Sequence, residues 1–572
     1  MREMLQHETF ESFRAPTLDT LFRLHETAYL ALSVRSKRIK SITINPAIEE
    51  LIWSLKADPI AAETLPDVVE QFTKVVGGLK NPNPAQTTSL ILQCENLRRR
   101  IDPIYIEELK GAFTETFSAT GQRNRALKVC QYLLSNLINT GYDRRYILQK
   151  VNERFFSKDI KKIEKRSLDF FIRQFDGKRR DFDVYVPVTK TGHTFVDALQ
   201  LPFVKAVATS EISEGTKNAL SRTVDRKDYP QTIRLTVERL DPFGAHEMAN
   251  ELMQSLQSLT LLQKEVFEFR WSDQAFVTTK RSQSGQIISK ENFVLQRSSE
   301  RITKARGRAL NQQARSLILS FDHNSMERVI RATGTVSLAR EANNTENQLV
   351  LLWSSIEALL SDPPEGVPRI THYLDSIIPS VCLNYPRRYL CAVMDQAFPL
   401  YKDQLRKYLK EIEIETDDYP TKFAHFVIDP KYQDLQDRFS NEISDNPLAL
   451  FRFWKLYSKF RHGSSFHQTV TSHQQRVEWQ IARIYRIRND IVHAGNGPRY
   501  TRPIALNAFE YFKTSFGTIV GRASKTDVGE DIGHVVGSIL FDYSIFISKI
   551  EPMKHSETPL SGAQITELFS KR

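Results

Sequence analysis

Cysteine is scarce in this chain: four among 572 residues, at positions 94, 130, 382 and 391, with no CxxC pair. That excludes a disulfide-stapled scaffold and the common zinc modules, which need cysteines or histidines at short fixed spacing. Long apolar runs are missing too. No window approaches the roughly 18 uninterrupted apolar residues a membrane span requires, and Met1-Arg2-Glu3-Met4 does not open a secretory leader. The expectation is a soluble, cytoplasmic protein with no membrane partner. The chain also lacks GxxxxGK[ST], GxGxxG, HExxH and GxSxG. No short motif clusters the carboxylates that two-metal hydrolysis needs. The expectation is no metal and no cofactor, so chemistry would fall to protein side chains alone.

What is present is length, charge and helical periodicity. A chain of 572 residues is too long for one core. Its 41% hydrophobic and 26% charged content is that of a globular protein. The net charge of +11 favours polyanionic partners. Basic runs at Arg98-Arg99-Arg100, Lys161 to Arg166, Lys178-Arg179-Arg180 and Arg301 to Arg315 read mostly as solvated faces, one or two of which could line an RNA path.

The periodicity predicts a mainly α fold: an N-terminal helical region over 1–165, a central α+β module over 166–315 that could act as a sensor, a C-terminal helical bundle over 316–550, and a C-terminal tail over 551–572. In the first region helical spacing runs over 19–34 and 46–55, then about 85–100, 103–118 and 123–139, with a breaker at Gly77-Gly78 to Pro84. In the second, 182–188 and 231–240 alternate as strands, Pro242 opens a helix of about 243–262, and 265–271 with 274–280 suggest a hairpin. The polar stretch 279–290 reads as a loop, and His246 as a surface histidine at a helix start.

The segment 484–495, Ile-Tyr-Arg-Ile-Arg-Asn-Asp-Ile-Val-His-Ala-Gly, carries the most information. Val477, Ile481, Ile484, Ile487 and Ile491 make one helical stripe, and Gly495 stands where helices commonly end. Arg488 falls near the middle of that stripe, so its guanidinium, permanently charged, needs an acidic partner, a phosphate or a wet cleft. Asn489 and His493, four apart, share an adjacent face that Arg486 joins. The competing reading is a solvated face, since arginine and histidine also fall close together at Arg239/His246 and Arg461/His467. His467, expected in a Gly/Ser-rich loop, is the rival catalytic histidine. Upstream, Phe451 to Gly463 interleaves rings with cations, as both base-stacking surfaces and amphipathic core helices do.

Arg488-Asn489-x-x-x-His493, preceded by Tyr485 and followed by Ala494-Gly495, resembles the signature of the HEPN superfamily, particularly its Apea-like branch. Leu349 to Leu360, with Trp353 and with Glu357 followed by Leu359-Leu360, is similar to that branch's first helix. The two segments bracket about residues 320–550. Read alone, Glu357 is either a solvated carboxylate at the edge of the stripe or a bidentate partner for Arg488 across the bundle.

The resemblance implies a metal-independent endoribonuclease acting in bacterial anti-phage defence by abortive infection, with RNA as substrate and tRNA as a candidate. His493 would take or relay the proton of a ribose 2′-hydroxyl, Arg488 would stabilise charge on the phosphorane, and Asn489 would orient the imidazole or hold a phosphate oxygen, with Glu357, Arg486 and Tyr485 in support. It further implies a homodimer or higher even oligomer, and the large N-terminal part suggests a phage-derived trigger. The alternatives are a catalytically silent HEPN nucleotide-binding or scaffolding module, and a nucleic-acid sensor that dimerises through its C-terminal bundle.

Overall fold

The computed structural model describes residues 17–260 apart from 119–120, 158–163 and 226, residues 269–280 and 285–290, residues 320–570 apart from 343, 417, 496, 499 and 526–528, and also Met1, Arg2, Met4 and Arg308. Residues 161–163 of one basic run and all of 301–315 except Arg308 lie outside these residues, as do residues 265–268 of the expected hairpin.

The protein is mainly helical with one small antiparallel sheet. Helices α1 (Thr20–Arg35), α2 (Asn45–Ala57), α3 (Pro84–Ser118) and α4 (Arg123–Thr140) dominate the N-terminal part. Asp19 caps α1 by accepting the Phe22 N–H, and Asn136 of α4 donates to its other oxygen at 2.8 Å, tying the first helix to the fourth. The two helices expected over 85–100 and 103–118 are one: α3 runs through Pro103, giving up a backbone hydrogen bond there while Ile101, Tyr105 and Leu109 stay buried on one face.

Five strands follow in the spatial order β2-β3-β1-β4-β5: β1 (Arg180–Val188), β2 (Val204–Val207), β3 (Gln231–Arg239), β4 (Gln274–Thr279) and β5 (Gly285–Ser289). Phe182, Val184, Val186 and Val188 alternate onto the face covered by α5 (Pro242–Thr260), while Phe276 packs with Leu220 and Val224 on the other. The stretch read as a loop over 279–290 therefore needs correction. Its second half is edge strand β5, paired with β4 from Gln274↔Ser289 to Thr278↔Gly285, which an edge position allows because only one face of so polar a strand meets the core. Trp271, the last residue of the expected hairpin strand over 265–271, makes an isolated antiparallel bridge to Val188. His246 is likewise not on the surface. It is 2% exposed and lies 3.2 Å from the Asn250 amide, and burial, then Arg145, press its pKa down to about 4, so the ring is neutral.

The C-terminal bundle comprises α6 (His323–Glu341), α7 (Thr345–Leu359), α8 (Arg369–Cys382), α9 (Pro447–Phe460), α10 (Gly463–Ala494), α11 (Thr501–Ala523), α12 (Ile532–Ile550) and α13 (Gly562–Phe569), with shorter helices between α8 and α9. Its apolar core is continuous with that of the N-terminal helices, whereas the sheet keeps a core of its own. The aromatic-basic segment belongs to α9 and is a core helix: Arg452, Phe453, Leu456 and Phe460 are buried, and Phe453 sits among Phe398, Phe426 and Phe439. Residues 551–569, expected as a tail, fold back instead. Phe569 wedges between Phe460 and Phe466, and at the start of α10 Leu560 donates its N–H to the Arg461 carbonyl while Gly463 and Ser464 donate theirs to the Thr558 and Ser556 carbonyls. At Gly463 an added Cβ would come within 3.1 Å of Met553 and Ser556, a crowded approach that glycine eases. Among the described residues no helix is long and apolar enough to cross a membrane.

A cavity of about 380 Å³ lies where all three parts meet, bordered by α4, the start of α5 and the start of α11. Glu247 is an exposed residue lining it; partial withdrawal of its carboxyl from solvent, then the neighbouring Asp143, raise its pKa to about 7. A carboxyl raised in the folded state stabilises fully below its unfolded value near 4.5, and that contribution is lost as pH rises through 7. The stability of Glu247→Gln relative to the wild type should therefore grow between about pH 4.5 and 7 and then level off. Thermal unfolding of both proteins across that range measures this, and a difference that does not change with pH would contradict the assignment.

Candidate functional site

Helix α10 is 32 residues long, roughly 48 Å at 1.5 Å per residue. It ends where Gly495 takes a left-handed conformation (φ 69°) and its N–H returns to the Ile491 carbonyl at 2.9 Å. Ile481, Ile484, Ile487 and Ile491 are buried along one face, as the periodicity required. His467 does not lie in a loop. It occupies the second turn of this same helix, 10% exposed, 3.1 Å from Glu551 of the returning C-terminal segment. Twenty-six residues of continuous helix separate it from His493, roughly 39 Å, so within one protomer the two histidines cannot share a site.

At the far end of α10, the two sequence segments meet. Arg488 donates to Glu357 Oε2 of α7 at 3.1 Å and to Asn489 Oδ1 at 2.9 Å. Both members of the ion pair are 22% exposed, so the pair stands at the mouth of the bundle and not in its interior. Glu357 is held from its other side by the Tyr373 hydroxyl of α8 at 3.3 Å; burial, then Glu357 itself, push that phenol up to about 12, which keeps it a donor at neutral pH. Tyr485 packs against Trp353 and Tyr373, and Trp353 is fully buried between them. The rings thus fix the distance between α7, α8 and α10 and hence the geometry of the Arg488–Glu357 pair. Arg488 Nε is buried without a hydrogen-bond partner among the described residues, leaving one charge-assisted donor unused.

His493 is exposed in the last turn of α10. Asp490, one turn earlier, lies within electrostatic reach of it and of Arg486; burial raises the Asp490 carboxyl in spite of both. The loop beyond Gly495 is tied back to α7, with Gly497 donating its N–H to Glu346 at 2.7 Å. Arg488, Asn489, Glu357 and Tyr485 are therefore in mutual contact directly or through Tyr373, and His493 sits one turn beyond Asn489 on the same helix.

Arg486 departs from the expected arrangement. Its guanidinium is bound to Glu26 of α1, in a buried ion cluster that joins the N-terminal helices to α10. At the centre of that cluster is Arg483, 2% exposed, which grips Glu26 at 2.8 and 3.0 Å and also bonds Glu50 of α2; Arg23 reaches the same Glu50 at 3.0 Å. Burial alone would raise the Glu26 carboxyl, but Arg483 and then Arg486 hold it down at about 2. Trp479, one turn back, donates to Glu49 at 3.3 Å and packs on Trp53. Sequence reading missed Glu26, Glu50 and Arg483. The available signal was Trp479, Arg483 and Arg486 at i, i+4 and i+7, a second face of α10 that carries a tryptophan and two cations and so calls for buried acidic partners.

The chain matches no family model, no curated protein and no solved structure. Among the described residues no three His, Cys, Asp or Glu side chains are grouped so as to hold a metal ion.

Proposed function

We propose that the chain is an endoribonuclease of the HEPN type that needs no metal ion, with its chemistry at the C-terminal end of α10. The observation that carries this reading is the contact of Arg488 with Glu357 and Asn489. It joins two segments, 131 residues apart, each of which resembles a segment of one family.

The chemistry needs few parts. A ribose 2′-hydroxyl attacks the adjacent phosphorus and passes its proton to the exposed His493 imidazole. The P–O5′ bond breaks, leaving a 2′,3′-cyclic phosphate, and the departing 5′-oxygen takes up a proton. Arg488, oriented by Glu357 and Asn489, presents the solvent-reaching part of its guanidinium to the developing charge. An exposed site on a helix end is open to a second copy of the same helix, which supports a dimer in which two His493 side chains serve as base and acid.

Cleavage should persist in excess chelator and give 2′,3′-cyclic phosphate and 5′-hydroxyl ends. A substrate with a 2′-deoxy nucleotide at the cut position should resist. Unchanged cutting at that position would rule out attack by the substrate's own hydroxyl.

A second reading has one observation in its favour: Arg488 is already neutralised by Glu357, as in a module that binds or scaffolds and does not cut. Purified protein that binds RNA but leaves it intact, with His493→Ala behaving as wild type, would establish that reading.

A further inference from the structure

A second cavity, about 540 Å³, lies between the N-terminal helices and the bundle, walled by α2, α4, the start of the helix at Tyr385–Ala397, α10 and α11. That volume is within the ~300–1,000 Å³ of small-molecule sites. Five cations line it: Arg23, Lys128, Arg388, Arg476 and Lys513. Only two carboxylates do, and both are engaged, Glu50 with Arg23 and Arg483, and Glu510 with Lys513 at 3.5 Å. Lys128 is felt nearby: burial, and then Lys128, hold the Lys455 ammonium below its ordinary range.

The remaining wall is aromatic. Tyr385 is 2% exposed and stacks flat on His473, with ring centroids 3.6 Å apart and planes within 5°. Trp53 and Tyr132 border the same space from the N-terminal side. Cations on one part of a wall and planar rings on another fit a ligand with an anionic end and a flat aromatic end. The floor of the cavity is Arg23 and Glu50, each 3% exposed, and both belong to the ion cluster that grips Arg483.

We propose that this cavity is a binding site for a nucleoside phosphate, with the base against the aromatic wall and the phosphates among Lys128, Arg476 and Lys513. A phosphate near Arg23 competes with Glu50 for its guanidinium, so occupancy alters the field on Arg483, about three turns before His493. The assignment stands apart from the ribonuclease reading, because binding and backbone protection are measurable whether or not the protein cuts RNA.

Calorimetric titration of the full chain with ATP, pyrophosphate and adenosine tests it. ATP should bind, and both fragments should bind about tenfold or more weakly, since each supplies only one kind of contact. Lys128→Glu and Lys513→Glu change exposed cations and should each weaken ATP by about tenfold with unfolding midpoints unchanged. Thr514→Trp, which fills the cavity from α11, should abolish binding. Amide hydrogen exchange over residues 479–493 should slow when ATP is bound. Absence of ATP binding, ATP binding undiminished in Thr514→Trp, or pyrophosphate binding as tightly as ATP would each overturn the site. Binding with exchange over 479–493 unaltered would overturn the link to Arg483.

Discussion

Replacing His493 by alanine is expected to lower RNA cleavage by about 10²–10⁴-fold, the usual worth of a positioned general acid or base, while thermal stability stays within about 0.5 kcal/mol of the wild type. The two effects separate because the side chain is exposed at the end of α10 and buries no apolar surface. Arg488→Ala should behave differently. It removes a partner from Glu357, leaving a half-buried carboxylate with only the Tyr373 hydroxyl, so loss of cleavage should come with about 1–2 kcal/mol of destabilisation. Glu357→Gln, which keeps a hydrogen-bond acceptor for Arg488, should lose less stability than Arg488→Ala. Gel-resolved cleavage paired with urea unfolding reads both quantities. Should His493→Ala cleave at the wild-type rate while His467→Ala does not, the chemistry would have to move to the other end of α10, beside Glu551.

The largest effect on folding is expected at Arg483. Alanine there leaves Glu26 and Glu50 buried, side by side, without their principal counter-ion. Breaking a buried ion pair from one side typically costs about 3–5 kcal/mol, because the stranded charge keeps its desolvation penalty. The unfolding midpoint should fall accordingly, and the double variant Arg483→Met with Glu26→Gln should recover much of the loss, since Glu50 then keeps Arg23 as its partner and the cation released, Arg486, is partly exposed and lies near Asp490. A single alanine variant less than about 1 kcal/mol below the wild type would mean that the cluster is far more hydrated than its geometry implies. The same cluster bears on fragments. A piece beginning near residue 315 lacks α1 and α2, so it would expose the apolar faces they cover and leave Arg483 without either carboxylate. Such a fragment is not a simple unleashed effector, and the full chain is the proper object for any test of control.

Much of this was legible before any coordinates. The stripe from Val477 to Ile491 and the stop at Gly495 are local signals, and they predicted the second half of α10 and its end. β1 and β3 were legible for the same reason, as alternation along one strand. The Arg488–Glu357 pair was readable only because both segments carried motifs. What failed was decided by distant partners. Gly463 and the serines after it look like a loop, yet the returning residues 556–560 bond to that backbone and start the helix there, which put His467 in the wrong setting. β5 is too polar to announce itself and exists through the ladder β4 offers. Arg486 was placed correctly on its helix, but its role was set by Glu26, 460 residues away in sequence. No local pattern carries that information.

The burial of the Arg483 cluster has a practical consequence for ionic strength. Polyanion binding through exposed lysines and arginines weakens steeply as salt rises, because bound counter-ions are no longer released. Charges withdrawn from solvent are screened far less. Concentrated salt should therefore strip any polyanion from the surface of this protein without loosening the grip of Glu26 and Glu50 on α10, so a polyanion-free state can be prepared with the N-terminal helices still docked.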